Sequence, residues 1–513
     1  MFVAKVAPGN LNTKRLDSDF YRPEYVKIDK VLSQLKCVKL GTVGKFFTGP
    51  FGSKLPSNLY LDEGVPLFRV GNVGQFEVLA DNFAYLAPTV HEELKVSEVL
   101  PGDLLIVKAS VGEKICKVPE SLPKANITQH IIGIRPNGSK DTDFVSAFLF
   151  SYYGVGQLQR YSLGSIIQYL GITDAKGVNL YSPDLLAQKY IGDKVRQAEQ
   201  LRAWAKRLED AVYRYHSQFI PDQEHLDFNK KTRMVSVKRM TERLDAHFYP
   251  GVVEQYLIAH PGKFESVSAL TSAIYNGQTQ PESSEEFCEQ ITVAHLSASF
   301  VKGQPRKVKA PAKNNKFVKP HDILMCNAAH NKSYIGRDLT YVHTDKELLP
   351  STEVMTIRID RDQVPASYVR AYLLSRLGYV KIQSTIRGIT AHSYPDDVAL
   401  LDIYIPEVEP SKKEEWFKQD DLLVQAGFAV ELAQLLTSSA KILVEALIEG
   451  QLTEQQLVQA QQTLDDGDNS LDQAILSKLS NAGYAIDGAT PLFSDIDELY
   501  RLLESATQAE AEE

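Results

Sequence analysis

The amino-acid sequence predicts an α/β (α+β) fold in tandem duplicate, whose two domains are joined and separated by two long helices forming an antiparallel coiled coil. Three observations lead to this prediction. The heptapeptide RLDSDFY at residues 15–21 returns as RLDAHFY at residues 243–249. Short apolar runs separated by Gly, Pro and Asn indicate strands in both halves of the chain. A long stretch of regular apolar spacing follows each half.

The duplication extends well beyond the heptapeptide. Further landmarks recur in the same order, 219 to 224 residues apart: PGDLLI with PHDILM, IGIRP with MTIRID, FLFSYYG with YLLSRLG, Gly164 with Gly388, and NLYSP with IYIP. A solenoid is excluded because its repeats are far shorter, about 20–50 residues. The series predicts two diverged copies of one domain, at residues 1–185 and 235–408.

Within the first copy the apolar pattern predicts both strands and helices. VPLFRV, DLLIVKAS and HIIGIRP are typical of strands, because their apolar runs are short and end near turn-forming residues. FVSAFLFSYYGVGQLQRY has apolar residues at helical spacing and predicts a helix. It precedes the glycine-containing segment LGSIIQYLGI, which predicts a loop.

A long helix is predicted after each copy, at 186–220 and 409–452, and a linker at 221–234 follows the first. Apolar residues alternate at three and four positions in both, which is the seam of a coiled coil and more regular than an ordinary surface helix. The predicted seam residues are Ala198, Leu201, Ala205, Leu208, Val212, Tyr215, Phe219, Leu422, Ala426, Ala429, Ala433, Leu436, Ala440, Leu443 and Leu447. The alternative is two unrelated amphipathic helices, each packed on its own domain.

Composition and charge place limits on the class of protein. With 43% hydrophobic and 24% charged residues the chain is typical of soluble globular proteins. No uninterrupted apolar run approaches the ~20 residues that span a bilayer, and MFVAKVAPGN lacks the apolar core of a signal peptide. The four cysteines are scattered without a CxxC pair, which favours reduced thiols in the cytoplasm.

The formal charge of −9 is unevenly distributed. It divides into +5 over residues 1–220, −3 over 221–450 and −11 over 451–513. The body is nearly neutral, so charge neither indicates nor excludes nucleic-acid binding. Residues 453–513 predict an acidic helical extension, for which a solvated appendage, a docking element for a partner and a mimic of DNA charge all stay open.

The sequence contains none of the common catalytic motifs. GxxxxGK[ST], GxGxxG, HExxH and GxSxG are absent. The NPPY or DPPY tetrapeptide of adenine methyltransferases is also missing. His321, Asp322, Cys326 and His330 are close in sequence, but their spacing fits no common metal-ligand pattern. We therefore expect no catalysis and no metal site in this chain.

Domain, long helix, domain and long helix, in this order, resemble the specificity (S) subunit of type I restriction–modification systems over about residues 10–453. The resemblance is carried by the GDLLI-type strand after a Pro-Gly turn, the glycine loop GSIIQYLG and the proline ahead of each long helix. QAEQLRAWAKRLEDAV and SSAKILVEALIEGQLT resemble the spacer helices of that family. The match lies in the ordered set, in duplicate, rather than in one strict motif.

The resemblance implies a DNA-reading subunit without catalysis of its own. In that family each α/β unit is a target recognition domain that reads one half of a bipartite site in double-stranded DNA. The helices form the antiparallel coiled coil that sets the gap and docks two adenine-N6 methyltransferase subunits. S-adenosylmethionine is expected in those partners, and ATP and Mg²⁺ in the restriction subunits. A helix of about 32 residues would be on the order of 48 Å long. Two recognition domains on such a spacer could contact DNA about one helical turn apart, roughly 34–36 Å.

The candidates for DNA contact in the first copy lie in loops that combine glycine with polar or basic residues. Glycine allows close backbone approach, Lys suits phosphate, and Arg and Asn suit guanine and adenine. The candidates are Ser53, Lys54, Arg69, Asn72, Lys114, Ser165, Gln168 and Tyr169. Alternatives stay open for three of them: a plain tight turn around Lys54, a carboxylate partner for Arg69 and simple solvation of Lys114.

The second copy offers a set rich in amides, which suits adenine. The candidates are Asn276, Gln278, Thr279, Asn327, His330, Asn331, Lys332, Arg387, Thr390 and His392. The two opening heptapeptides are expected to belong to the scaffold rather than to the DNA-contacting surface.

Two other functions are compatible with the same sequence. One is an interaction scaffold of similar architecture that does not read DNA. The other is a specificity module of a related defence complex with different effectors. Neighbouring methyltransferase and helicase–nuclease genes would favour the restriction–modification function over both.

Overall fold

The computed structural model of the chain describes residues 11, 15–80, 83–109, 111–162, 169–229, 234–313 and 316–511, the side chain of residue 238 excepted. The chain divides into two units. Unit 1 comprises Met1–Leu201 with Leu432–Glu513, and unit 2 comprises Arg202–Glu431. Each unit contains one of the two copies predicted from the sequence, together with part of each long helix.

The described residues of the first copy form short strands and five α-helices. In chain order they are α1 (Pro23–Leu32), β1 (Cys37–Lys39), β2 (Gly44–Thr48), β3 (Val65–Phe68), β4 (Ala84–Leu86), α2 (Pro88–Glu93), β5 (Glu98–Val99), β6 (Leu104–Val107), β7 (Ile115–Lys117), β8 (Ala125–Ile127), β9 (Ile131–Pro136), α3 (Thr142–Phe150), α4 (Tyr152–Tyr161), α5 (Ile172–Lys176) and β10 (Asn179–Tyr181). One antiparallel sheet has the order β2-β9-β6-β7, and a second sheet has the order β4-β3-β8-β5. β3 and β8 are parallel, and β1 pairs with β10 near the two ends of the copy.

The apolar core of the first copy draws residues from both sheets. Phe68 and Ile127 of one sheet and Leu105 and Cys116 of the other belong to the same buried cluster. All four residues of β6 are buried, which explains why DLLIV is a continuous apolar run rather than an alternating one. The core therefore holds the two sheets together and fixes the loops at their edges.

The long helix α6 (Leu185–Ser217) follows the first copy. The second copy then consists of α7 (Gly251–Ala259), β11 (Phe264–Ser266), β12 (Thr271–Asn276), β13 (Phe287–Ile291), β14 (Arg306–Lys309), β15 (Ile323–Cys326), β16 (Ala328–Ala329), β17 (Leu339–Tyr341), β18 (Leu348–Pro350), β19 (Val354–Ile359), α8 (Ala366–Leu374), α9 (Arg376–Ser384), β20 (Ala391–His392), α10 (Pro395–Ala399) and β21 (Asp402–Tyr404). Its main sheet has the order β12-β19-β15-β17, and a smaller one has the order β14-β13-β18.

The two main sheets have the same strand order and the same antiparallel pairing. The parallel pair β3–β8 also returns as β13–β18, and β1–β10 returns as β11–β21. The mixed helix and strand content agrees with the predicted fold class. The segments VPLFRV, DLLIVKAS and HIIGIRP contain β3, β6 and β9, as predicted.

One predicted helix is in fact two separate helices. FVSAFLFSYYGVGQLQRY contains two helices, α3 and α4, because Ser151 between them begins a new helix. Its hydroxyl accepts a hydrogen bond from the backbone N–H of Gly154 at 3.2 Å, which is an N-cap. Gly154 is required there, since a Cβ would lie 2.1 Å from the carbonyl oxygen of Phe148. Ser375 and Gly378 repeat the arrangement at 3.1 Å between α8 and α9.

The second long helix, α11 (Pro410–Ile448), follows the second copy. Both long helices end before their predicted limits, and Phe219 lies beyond the end of α6. Most predicted seam residues are buried, whereas Leu208, Tyr215, Phe219 and Leu422 are half-buried. α11 is long and apolar enough to cross a membrane, but 56% of its most apolar window is buried. The core helix of a soluble protein has the same properties.

The acidic extension contains α12 (Glu454–Asp465), α13 (Ser470–Leu476), β22 (Leu479–Ser480), β23 (Gly483–Tyr484) and α14 (Ile496–Ala511), all within unit 1. Asp472 of α13 is buried and accepts hydrogen bonds from Tyr190 at 2.5 Å, Lys194 at 2.7 Å and Tyr500 at 2.6 Å. Because Tyr190 and Lys194 belong to α6, the extension is joined to the long helix through a buried ion pair. It is part of the unit 1 core rather than a solvated appendage.

Candidate nucleic-acid interface

A small set of internal contacts holds the opening segment of the first copy. Arg15 and Asp17 form an ion pair at 2.7 Å, and this hydrogen bond from Arg15 lowers the pKa of Asp17. The Asp17 carboxylate also accepts the backbone N–H of Phe20 at 3.1 Å. Finally, the Tyr21 hydroxyl donates to the carbonyl oxygen of Arg15 at 2.7 Å. RLDSDFY is thus a turn held by its own side chains, and Arg160 anchors it by donating to the carbonyl oxygen of Phe20 at 2.8 Å.

The second copy repeats each of these contacts. Arg243 pairs with Asp245 at 2.6 Å, and Asp245 accepts the N–H of Phe248 at 3.2 Å. The Tyr249 hydroxyl donates to the Arg243 carbonyl oxygen at 2.8 Å. The recurrence of the heptapeptide therefore reflects one local structure used twice.

A buried ion pair forms a second element of the shared framework. Asp103 and Arg135 approach to 2.7 Å in the first copy, and Asp322 and Arg358 approach to 2.7 Å in the second. Both carboxylates are almost fully buried. Burial raises the pKa of Asp322, an effect that the Arg358 guanidinium opposes. The first pair joins PGDLLI to IGIRP, and the second joins PHDILM to MTIRID. In both cases the two segments belong to neighbouring strands.

In each copy one glycine lies so close to a neighbouring backbone segment that a side chain would not fit. This glycine lies where the first candidate loop leaves the main sheet. A Cβ at Gly49 would lie 2.0 Å from the carbonyl oxygen of Ile127, and one at Gly277 would lie 2.0 Å from that of Pro350. No larger residue fits at either position without displacing backbone. The loops after β2 and β12 consequently begin at equivalent places.

A buried donor supports the loops of each copy. In the first, Lys108 donates to the Thr48 hydroxyl at 2.8 Å and to the Gln129 carbonyl oxygen at 2.6 Å. Burial lowers the pKa of Lys108. The sequence prediction missed this residue because a lysine after a strand is normally expected at the surface.

In the second copy the equivalent donor is Asn327. Its amide donates to the Asn276 side-chain oxygen at 2.7 Å and to the Thr352 carbonyl oxygen at 3.0 Å. Asn327 is 3% exposed, so it does not present a base-reading edge. The prediction of a DNA contact at Asn327 is corrected here to a supporting role, because burial and two internal hydrogen bonds engage the amide.

Two candidates of the first copy, Arg69 and Asn72, line a cavity of about 520 Å³ in unit 1. Pro50 and Gly52 of the TGPFGSKL loop and His130 also line it. Ser53 and Lys54 are exposed on the same loop. The ring of Tyr169 lies against that of His130, with 6.5 Å between centroids. Loops that are distant in sequence therefore converge on one surface.

Two predicted residues of the first copy, Asn72 and Lys114, have their polar groups engaged inside the fold. Asn72 is 2% exposed; its side-chain oxygen accepts the Arg69 N–H at 3.0 Å, and its amide donates to the Leu79 carbonyl oxygen at 3.2 Å. It supports the turn rather than reading a base, because both ends of the amide are engaged. Lys114 donates to the Val70 carbonyl oxygen at 3.2 Å, beside the cavity. Ser165 and Gln168 lie outside the described residues.

In the second copy, β16 and β20 bring two distant candidate loops together. Ala328 pairs with His392, and Ala329 with Ala391. His330, Asn331 and Lys332 follow β16 directly and are exposed. Gln278 and Thr279 lie in the loop after β12, where the Thr279 hydroxyl is 2.9 Å from that of Thr352. His321 and Asp322 point inward instead, and among the described residues no three potential metal-binding side chains gather.

A tight hairpin presents the remaining candidates of the second copy. The N–H of Arg387 donates to the carbonyl oxygen of His392 at 2.8 Å, and the reverse bond measures 3.1 Å. Gly388 has a φ of 80°, a left-handed conformation that favours glycine. The Arg387 guanidinium is paired with the buried Asp397, so it is oriented by the fold. Thr390 is exposed at the tip.

Two exposed apolar side chains on these loops were missed by the sequence prediction. Phe51 lies between Pro50 and Gly52 and is 79% exposed. Ile389 lies at the tip of the hairpin and is fully exposed. The prediction concentrated on polar groups; a large apolar residue beside a glycine, inside a loop otherwise rich in polar residues, was the available signal.

Comparison with known proteins gives distant structural matches. No family model and no curated protein matches the chain. The type I restriction–modification S subunit from M. genitalium matches at 12% identity over 83% of this chain and 95% of its own, with a TM-score of 0.37. The HsdS subunit from Thermoanaerobacter tengcongensis matches at 15% identity over 81% and 97%, with a TM-score of 0.28.

A structure of the complex assembly and conformational transition of the type I restriction–modification system also matches. The identity is 15% over 83% of this chain and 97% of that one, with a TM-score of 0.26. These proteins belong to the class that the sequence resembles. At such low identities and TM-scores the matches are likenesses only, and the residues of this chain carry the assignment.

Proposed function

We propose that this chain is the DNA specificity subunit of a type I restriction–modification complex. Each copy would be a target recognition domain that reads one half of a bipartite DNA site. One observation carries the proposal: the same framework holds both copies, while the loops on that framework carry different side chains. Reading two different half-sites requires this combination.

The first copy would contact DNA through the loops around its cavity. Arg69 suits guanine, Lys54 suits phosphate, and Phe51 suits an apolar contact such as a thymine methyl group. In the second copy Gln278 suits adenine, and Arg387 on the hairpin suits guanine. The remaining exposed candidates of the two copies would contribute around these positions.

The two long helices are proposed to pair in antiparallel orientation as the spacer. Unit 1 contains the beginning of α6 and the end of α11, whereas unit 2 contains the end of α6 and the beginning of α11. Ala198, Ala205, Ala426 and Ala433 are buried, which suits close approach of two helix backbones. The spacer would set the gap between the half-sites and dock two adenine-N6 methyltransferase subunits.

In this proposal the chain itself carries out no chemistry. Methylation comes from partner subunits that bind S-adenosylmethionine, and cleavage from restriction subunits that use ATP and Mg²⁺. Because the body of the chain is nearly neutral, the partners would supply much of the phosphate contact, which dominates salt-dependent affinity. The complex would act in the prokaryotic cytoplasm in defence against phage.

A map of N6-methyladenine tests the proposal. The chain is co-expressed with the methyltransferase encoded beside it, in a host without DNA methylation, and the DNA is read by long-read sequencing. We expect one bipartite motif with a fixed gap and a methylated adenine in each half. A stable complex that leaves no motif would contradict the proposal and favour a scaffold that does not read DNA.

A further inference from the structure

Four of the five residues shared by RLDSDFY and RLDAHFY have a role inside the fold. The arginine and aspartate pair with each other, and the tyrosine hydroxyl binds the arginine carbonyl oxygen. The phenylalanine is buried under the same arginine: the guanidinium carbon lies 4.8 Å from the Phe20 ring centre and 4.7 Å from that of Phe248. Folding therefore accounts for these four residues in both copies.

The leucine is the exception. Leu16 is 73% exposed in the first copy, and Leu244 is 75% exposed in the second. Among the described residues neither side chain belongs to a buried apolar cluster. The contacts of the neighbouring arginine and aspartate fix the backbone on both sides, so each leucine is displayed in the same rigid setting.

The presence of this leucine in both copies limits the functions that it can have. A leucine needed for folding would be buried. A residue that reads DNA would be expected to differ between two copies whose loops carry different side chains. An exposed leucine in the same setting in both copies must serve something that the two copies have in common. A single exposed leucine would need no explanation; a repeated one does.

We propose that Leu16 and Leu244 are equivalent docking residues, each inserting into an apolar pocket on one of two identical partner subunits. The inference rests on the proposed function, in which those partners are the two methyltransferase subunits. Each leucine is flanked by a half-exposed carboxylate, Asp17 or Asp245. An apolar residue with a polar rim is the arrangement found at the core of protein–protein interfaces.

The stoichiometry of docking tests the inference. Leu16→Ser, Leu244→Ser and the double variant of the full chain are titrated with purified methyltransferase subunit and analysed by sedimentation velocity. We expect the wild-type chain to bind two subunits. Each single variant should bind one of them about tenfold more weakly or worse, and the double variant should weaken both. Leu16→Met should restore binding at that site, because it keeps an apolar side chain of similar size.

Val96→Ser is the matched control. Val96 is 89% exposed in the first copy but lies outside the repeated segment, so its replacement should leave both sites unchanged. All the variants should keep the wild-type circular dichroism and melting temperature, because the replaced side chains are exposed.

Several results would overturn the inference. Unchanged binding of both subunits by the double variant would do so, with the proposed function left intact. Loss of self-association or of DNA binding, with docking preserved, would assign the leucines to a second copy of this chain or to DNA. A wild-type chain that binds no methyltransferase subunit would contradict the proposed function itself, and the inference would fall with it.

Discussion

The first and second copies share their framework, but the buried donor residue of that framework differs between them. Lys108 in the first copy and Asn327 in the second are both buried, and each donates to a strand-end side chain and to a carbonyl oxygen of the opposite turn. The two side chains differ in length and charge, whereas the pattern of hydrogen bonds is the same. The fold thus fixes where a buried donor must lie and leaves the residue type free, provided that its polar atoms are satisfied.

The loops differ more strongly than the framework. The first copy presents Arg69 at its cavity and Lys54 and Phe51 on an adjoining loop, whereas the second presents amides, imidazoles and a hairpin with Ile389 at its tip. Substitutions in the framework should therefore affect folding alike in both copies. Substitutions in the loops should affect only DNA binding, and only one half of the site.

The largest effects are expected at the shared ion pair. Arg135→Met and Arg358→Met each leave a buried aspartate without its countercharge, which costs about 3–5 kcal/mol of unfolding free energy for a buried pair. Thermal unfolding should show the loss in both variants. Arg358→Met should be the worse, because Arg358 is 18% exposed and Arg135 is 37% exposed.

Arg22→Met is the control for these variants. Its ion pair with Asp19 is exposed, so the change should cost less than about 1 kcal/mol. If only one of the two variants, Arg135→Met or Arg358→Met, lost stability, the ion pair would not have the same role in both copies.

A comparable effect is expected where unit 1 has an element that unit 2 lacks. Asp472→Ala leaves Lys194 fully buried beside two tyrosines without a carboxylate, which should cost about 3 kcal/mol. Asp465→Ala removes an exposed pair with Lys189 and a hydrogen bond from Gln461 and should have a far smaller effect on stability. Equal melting temperatures for the two variants would show that the extension is not part of the unit 1 core.

Acidification should destabilise unit 2 through His216. Burial lowers the pKa of His216 to about 4, although Asp420 opposes the effect, and Nε2 lies 2.8 Å from the Ser367 hydroxyl. The unfolded chain binds a proton that the folded chain does not. Stability is therefore complete above pH ~6.5 and falls as the pH drops towards about 4, by roughly 2 kcal/mol between pH 7 and pH 5.

The measurement for this prediction is denaturant unfolding at a series of pH values. His216→Gln removes the titrating group, so the variant should lose less stability than the wild type over the same interval. Parallel pH profiles for the two proteins would contradict the assignment to His216.

The smallest effects are expected at the exposed apolar residues of the loops. Phe51→Ala and Ile389→Ala should leave melting unchanged and weaken binding to the specific DNA by about tenfold, as loss of a buried apolar contact would. Fluorescence anisotropy of the assembled complex measures the change. An equal loss on DNA without the motif would show that neither residue contributes to specificity.

The sequence was sufficient for the mixed fold class and the two long helices but not for the roles of individual polar residues. Strict apolar spacing located α6 and α11 to within a few residues, since a long helix repeats its signal many times. The break at Ser151 was not evident, because a cap contributes one residue to a pattern that is otherwise continuous. Asn72 and Asn327 look like base readers in sequence, and only the structure shows their burial. Burial depends on residues far along the chain, which local patterns do not contain.

The most direct test of two independent reading domains changes the loops of one copy only. N6-methyladenine is mapped for the wild-type complex and for a variant in which residues 388–391 of the hairpin are replaced by a glycine–serine linker of equal length. We expect the variant to keep the half-site read by the first copy and to lose or change the other, with the gap unaltered. A variant that changes both halves, or the gap, would contradict the assignment of one half-site to each copy.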